Sequence, residues 1–112
     1  MKRYGMVIGV NADRIDEYKQ LHAAVWPDVL QIIARCHIRN YSIYLRQLDD
    51  GNHYLFSYFE HVGDDFAGDM AMMAADPTTR RWWDVCMPCQ RPLEGRQAGD
   101  WWASMEEVFH CD

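Results

Sequence analysis

Between residues 17 and 27 the chain runs Glu17-Tyr18-Lys19-Gln20-Leu21-His22-Ala23-Ala24-Val25-Trp26-Pro27. Ile15, Tyr18, His22, Val25, Trp26, Val29 and Ile33 recur at three- and four-residue steps, so they share one helical stripe that must face a sheet or core. That stripe carries a phenol and an imidazole where apolar residues belong. Tyr18 and His22 stand one helical turn apart, about 6 Å along the axis, and both can touch one small ligand. An imidazole titrating at about 6.5 gives or takes a proton at neutral pH without help from a cofactor, so the chemistry indicated is proton transfer centred on His22. The plain alternative is a core histidine satisfied by a backbone carbonyl.

A second group lies at Thr79, Trp82, Trp83 and Cys86, which fall on one helical face. Tryptophans offer large flat apolar surfaces with one N–H donor, suited to a ligand that has C–H faces and a rim of hydroxyls, although core packing uses them equally well. Of two adjacent helical tryptophans, one usually leans outward. Tyr41 and Tyr44 project from opposite faces of one strand, and alternation does not say which looks toward the helices. Cys86-Met87-Pro88-Cys89 is a C-x-x-C, but no second ligand pair accompanies it and it falls at a helix end, which argues against a zinc or thioredoxin-like site. His37, His53, His61 and His110 lie on separate elements and suggest no cluster. Carboxylate pairs for glycoside hydrolysis are not evident.

The elements that must position these groups can be taken in chain order. Residues 3–10 alternate as a strand. Asn11 or Asp13 is expected to cap the following helix through a side-chain oxygen. Pro27 should break that helix near Ala24 to Trp26, with a second piece running to about Cys36. Strands at about 39–46 and 53–60 flank Leu48-Asp49-Asp50-Gly51-Asn52, which is hairpin chemistry. Helices at about 64–75 and 78–87 are separated by Asp76-Pro77, with Asp64-Asp65 at the start of the first. Residues 88–100 form a loop, and a last strand spans about 101–109.

A chain of 112 residues makes one domain, residues 1–112. Its net charge of −6 and scattered lysines and arginines argue against nucleic acid as a partner. No run of about 18 apolar residues is present to span a membrane, and the N-terminus lacks signal-peptide features, so a cytoplasmic location with reduced thiols is expected. The β-α-β-β-α-β order predicts a ferredoxin-like α+β sandwich with both helical layers on one sheet face. Yet Tyr54, Phe56 and Tyr58 alternate with Leu55 and Phe59, which makes both faces apolar. A second copy should cover the open face, giving a homodimer.

Taken together, Glu17, Tyr18, His22, Val25-Trp26-Pro27, Asn40-Tyr41-Ser42-Ile43-Tyr44-Leu45, Arg81-Trp82-Trp83, Met87-Pro88 and Glu107-Val108-Phe109 resemble the L-rhamnose mutarotase family over nearly the whole chain. The resemblance implies a dimeric α+β barrel and an enzyme that interconverts the α and β anomers of a 6-deoxy-L-hexose, L-rhamnose or L-fucose, with no cofactor and no metal. It assigns His22 as proton donor and Tyr18, Tyr41, Trp82 and Trp83 as substrate contacts, selecting Tyr41 over Tyr44. Ala24 where a proline is common, extra residues from Gly63 to Met72, and the Cys86 and Cys89 pair depart from the family pattern and bear on the choice of sugar. Two other classes use the same scaffold: cofactor-free or haem-handling monooxygenases, and non-catalytic sugar-binding modules.

Overall fold

The computed structural model describes residues 1–112. Strand β1 spans Lys2–Val10, helix α1 Ile15–Ala23, helix α2 Pro27–Arg35, strand β2 Ile38–Gln47 and strand β3 His53–His61. Helices α3 (Phe66–Ala75) and α4 (Pro77–Cys86) follow, then the short strands β4 (Gln90–Arg91) and β5 (Ala103–Met105). All pairings are antiparallel, in the order β2-β3-β1-β4, with β5 also on β1. This is the ferredoxin-like α+β sandwich, its fourth strand position divided between β4 and β5. No helix is long and apolar enough to cross a membrane.

Proline sets the helix boundaries. α1 stops at Ala23 and α2 begins on Pro27, because a proline at the first helical position lacks only an N–H that would be unbonded there anyway. Pro77 opens α4 in the same way, and Asp76 caps it by accepting from the Thr79 amide at 2.8 Å. Asp65 caps α3 through the Gly68 amide. Ahead of α1 the expected cap does not form. A 3-10 turn, Ala12–Arg14, intervenes without a side-chain cap, and Asn11 instead donates from its side chain to the Pro88 carbonyl and from its backbone to the Cys89 carbonyl. The loop after α4 competes successfully for that side chain. Gly51, at φ +84°, turns the β2–β3 hairpin as its sequence requires. At Gly9 only hydrogen fits, since a Cβ would stand 2.7 Å from the Arg91 carbonyl oxygen on β4.

The core lies between helices and sheet. Tyr18 (α1), Val29 (α2), Trp82 and Cys86 (α4) pack with Ile8, Val10 and Leu55, while Ile32 and Cys36 pack with Ile38 and Phe59. The opposite sheet face carries no helix. On it Phe56 pairs with Val7 and with Tyr44, and Tyr58 pairs with Gly5 and Ser42. The last strand is much shorter than 101–109. After Met105 the chain leaves the sheet, and Val108 and Phe109 are 86% and 80% exposed. Beyond β5, Glu107 is held only by its ion pair with Arg3, at 2.9 Å.

Candidate active site

Tyr18 and His22 project from α1 toward α4, as the stripe predicted. Their rings stack at 4.1 Å between centroids, and the His22 ring meets Trp82 nearly edge-on at 5.3 Å. His22 Nδ1 lies 3.0 Å from the Tyr18 carbonyl oxygen. A carbonyl only accepts, so Nδ1 carries a proton whatever the charge on the ring, and Nε2 is left as the exchanging nitrogen. Burial lowers the His22 pKa, opposed in part by that same hydrogen bond, which favours the charged ring. At neutral pH the resting ring is therefore mostly neutral, with a lone pair on Nε2.

These rings border a cavity of about 410 Å³ between the helices and the sheet, also lined by Tyr41, Trp83, Gln90 and Trp101. That volume lies toward the lower end of the range of roughly 300–1,000 Å³ usual for small-molecule sites. All five residues singled out in the sequence, Tyr18, His22, Tyr41, Trp82 and Trp83, meet here. Trp82 is buried in the core at 6% exposure, whereas Trp83 keeps 37% of its surface open at the pocket wall. A second hollow of about 390 Å³ shares Tyr18 and His22 on the side of Val10 and Leu55.

Tyr41 owes its direction to a bulge. Arg39 pairs with Glu60 but Ser42 pairs with Tyr58, so Asn40 and Tyr41 together oppose Phe59 alone. Asn40 takes the left-handed conformation, φ +51°, that absorbs the extra residue. The inward face of β2 switches there from Ile38 to Tyr41, Ile43 and Leu45. Tyr41 now packs on Phe59 at 5.6 Å, and Tyr44 turns to the helix-free face, 65% exposed. The Tyr41 ring is open along one flank, yet desolvation of its hydroxyl end pushes its pKa up to about 12. Burial likewise raises the Tyr18 pKa, so both phenols stay protonated hydrogen-bonding groups at neutral pH.

Three contributors, Gln90, Trp101 and Trp102, were not singled out in the sequence. Gln90 receives the Trp101 indole N–H at 2.8 Å on its side-chain oxygen and donates, at 3.4 Å, to the Tyr18 hydroxyl. It thereby orients the phenol that stacks on His22. A lone glutamine after the Met87-Pro88-Cys89 turn carries no sequence signal, but Trp101-Trp102 repeats the adjacent tryptophans of α4 and both line the cavity. The cysteines of the C-x-x-C are buried free thiols, and burial pushes Cys86 up to about 12. The expectation that the remaining histidines stand apart is wrong for one pair. His37, just after α2, and His61, ending β3, both reach Asp69 of α3, because antiparallel pairing of Ile38 with His61 brings those ends together.

Comparison with known proteins gives concordant results. A family model described as L-rhamnose mutarotase matches residues 3–111. Proteins named L-rhamnose mutarotase from Opitutus terrae, Bacillus subtilis and Oceanobacillus iheyensis are 32%, 30% and 29% identical, each aligned over all of both chains. Among solved structures, an L-rhamnose mutarotase from Formosa agariphila superposes with a TM-score of 0.75 at 21% identity over the whole of both chains. The tetracenomycin F2 cyclase of Streptomyces glaucescens, a type-II polyketide cyclase, superposes with a TM-score of 0.67 at 13% identity, again over both whole chains. At such identities these two likenesses speak for the fold.

Proposed function

Because the chain belongs to the L-rhamnose mutarotase family, a family of carbohydrate isomerases, we propose that it interconverts the anomers of a 6-deoxy-L-hexose in the aromatic cavity, with His22 as proton donor. The observation that carries this reading is the His22 ring itself. It is stacked on Tyr18, flanked by Trp82, tied at Nδ1 and left free at Nε2 beside a cavity of monosaccharide size.

Anomer exchange requires a proton on the ring oxygen, loss of the proton from the anomeric hydroxyl, opening to the aldehyde, rotation about the C1–C2 bond and reclosure. The proton lost from the anomeric hydroxyl passes to water and the one gained by the ring oxygen comes from the enzyme; reclosure reverses both transfers, so protons and electrons balance without any oxidant. His22 supplies the ring-oxygen proton from Nε2, which it can do only as imidazolium because Nδ1 points at the Tyr18 carbonyl. The neutral phenols of Tyr18 and Tyr41 orient hydroxyls, and the indole faces of Trp82 and Trp83 bound the apolar side of the pyranose. The monooxygenase and binding-module alternatives find no counterpart in the family match.

Saturation-transfer NMR between the anomeric protons of L-rhamnose, and separately of L-fucose, tests the activity and the sugar choice. Exchange accelerated by the protein, more for L-rhamnose than for L-fucose, is expected. Sugar binding without acceleration would reduce the site to a binding pocket.

The homodimer belongs to the same proposal. Val7, Tyr44, Phe56 and Tyr58 leave an aromatic sheet face without helices, and the Val108-Phe109 tail stands clear of its own chain. Sedimentation should give twice the chain mass, and a monomer at micromolar concentration would refute the pairing. Four free cysteines suit the reducing cytoplasm expected for the chain.

A further inference from the structure

His37 Nδ1 lies 2.8 Å and His61 Nε2 2.7 Å from the same oxygen of Asp69, Oδ2. The three ligand-type atoms all lie within 4.8 Å of one another. None of these residues lines the aromatic cavity, so the group is separate from the site above. We propose that His37, His61 and Asp69 form a binding site for one divalent transition-metal ion of the zinc class, which draws α3 against the β2 and β3 ends of the sheet.

The donor set has the right chemistry. Two imidazole nitrogens and one carboxylate oxygen suit zinc and its neighbours in the first row, and leave a fourth position for water or an exogenous ligand. Tetrahedral ligands at about 2.0–2.2 Å from zinc stand about 3.4 Å apart. The two contacts to Asp69, now 2.8 and 2.7 Å, would lengthen by about 0.6–0.7 Å as the proton in each is replaced by the shared ion. Solvent can reach the group past the His37 ring, whose side chain is half exposed, while His61 is buried at 3% and Asp69 mostly buried.

The surroundings look built for convergence. His37 holds φ +63°, a left-handed conformation at a helix end where glycine is usual and a side chain costs energy. That backbone is what aims its ring at Asp69. Gly63 passes over the group so closely that a Cβ there would lie 2.9 Å from both Asp69 Oδ2 and His37 Nδ1. The His61 ring is fixed edge-on against Phe66 at 5.1 Å. Asp69 precedes Met70, and Met73 lies one turn on, both lining the aromatic cavity; an ion at Asp69 would therefore steady one of its walls.

The test uses the full chain, stripped with a chelator and titrated with Zn²⁺ by calorimetry. One ion per chain is expected, with a rise in melting temperature. His37→Gly removes one ligand and suits the left-handed backbone, so it should fold at least as well as the parent. It should bind zinc at least about 100-fold more weakly, since loss even of an outer-sphere partner commonly costs 10–100-fold. Asp69→Asn should behave alike. Co²⁺ in place of zinc should give d–d absorption with no thiolate charge-transfer band, although the Cys36 thiol lies near, donating to the Asp69 carbonyl at 3.3 Å. Equal zinc affinity in parent and His37→Gly, or a thiolate band, would overturn the assignment and leave the three residues a hydrogen-bonded clamp.

Discussion

Replacing His22 by Asn separates proton transfer from packing. The asparagine amide can stand where Nδ1–H stands and keep the 3.0 Å bond to the Tyr18 carbonyl, but offers nothing at the position of Nε2. Tyr18, Tyr41, Trp82 and Trp83, the proposed sugar contacts, still line the cavity. A positioned acid contributes about 10²–10⁴ in rate, which at 1.36 kcal/mol per decade raises the barrier by about 2.7–5.4 kcal/mol, with KM little changed. Saturation-transfer NMR of L-rhamnose at several pH values reads this directly. For the parent, catalysed exchange should decline as pH rises, because only the imidazolium donates from Nε2 and burial has already lowered its pKa. The variant should show only a weak, pH-independent residue above the uncatalysed rate. An Asn variant exchanging within about threefold of the parent would refute the role of His22. A parent rate that climbs with pH through the histidine range would show instead that the neutral ring acts first, as a base.

Three further outcomes follow from particular contacts. Asn40→Gly should preserve activity, whereas Asn40→Val, whose branched side chain resists a positive φ, should straighten the bulge, swing Tyr41 outward and cut kcat/KM at least tenfold in the same assay. Trp83→Ala should chiefly raise KM with the melting temperature nearly intact, while Trp82→Ala, emptying a buried site, should cost about 3–5 kcal/mol in urea unfolding. The depressed His22 pKa also links folding to pH. The unfolded chain protonates this ring first as pH falls below about 6.5, so stability present at neutral pH is lost downward through the lower folded value, and His22→Asn should flatten that part of the melting-temperature profile.

Much of the architecture was legible because local chemistry and tertiary structure agree. Pro27 and Pro77 mark helix starts, Asp-Gly marks the hairpin, and the stripe through Tyr18 and His22 does face the core. The failures share one cause, competition from residues distant in sequence. Asn11 gives its side chain to the loop at Pro88 instead of capping, β5 stops after Met105 where pairing with β1 ends, and Gln90 acquires its role only through Trp101 and Tyr18. The His37–Asp69–His61 group escaped notice because strand pairing, not spacing, assembles it. Tyr41 is the clearest case. Strict alternation puts it on the face of Arg39, and a single left-handed residue moves it to the other side.

The aromatic enclosure acts on His22 in two opposed ways, and the proton transfer proposed for this ring depends on their balance. Taking the ring out of water disfavours its charge, so fewer molecules hold the donor form at neutral pH. Yet the Tyr18 ring at 4.1 Å and the Trp82 ring at 5.3 Å lie within the distance at which a cation is drawn to aromatic systems, and the Tyr18 carbonyl prefers the charged ring's stronger N–H. The imidazolium is thus made scarce but not expelled, and as a stronger acid than free histidine it is the better suited to the proton transfer proposed for it, to a weakly basic ether oxygen. Replacing Trp82 by Leu would remove one of those rings while keeping much of the apolar bulk. The donor titration should then shift further down in pH, and neutral-pH exchange should fall although no proton-carrying atom has been touched.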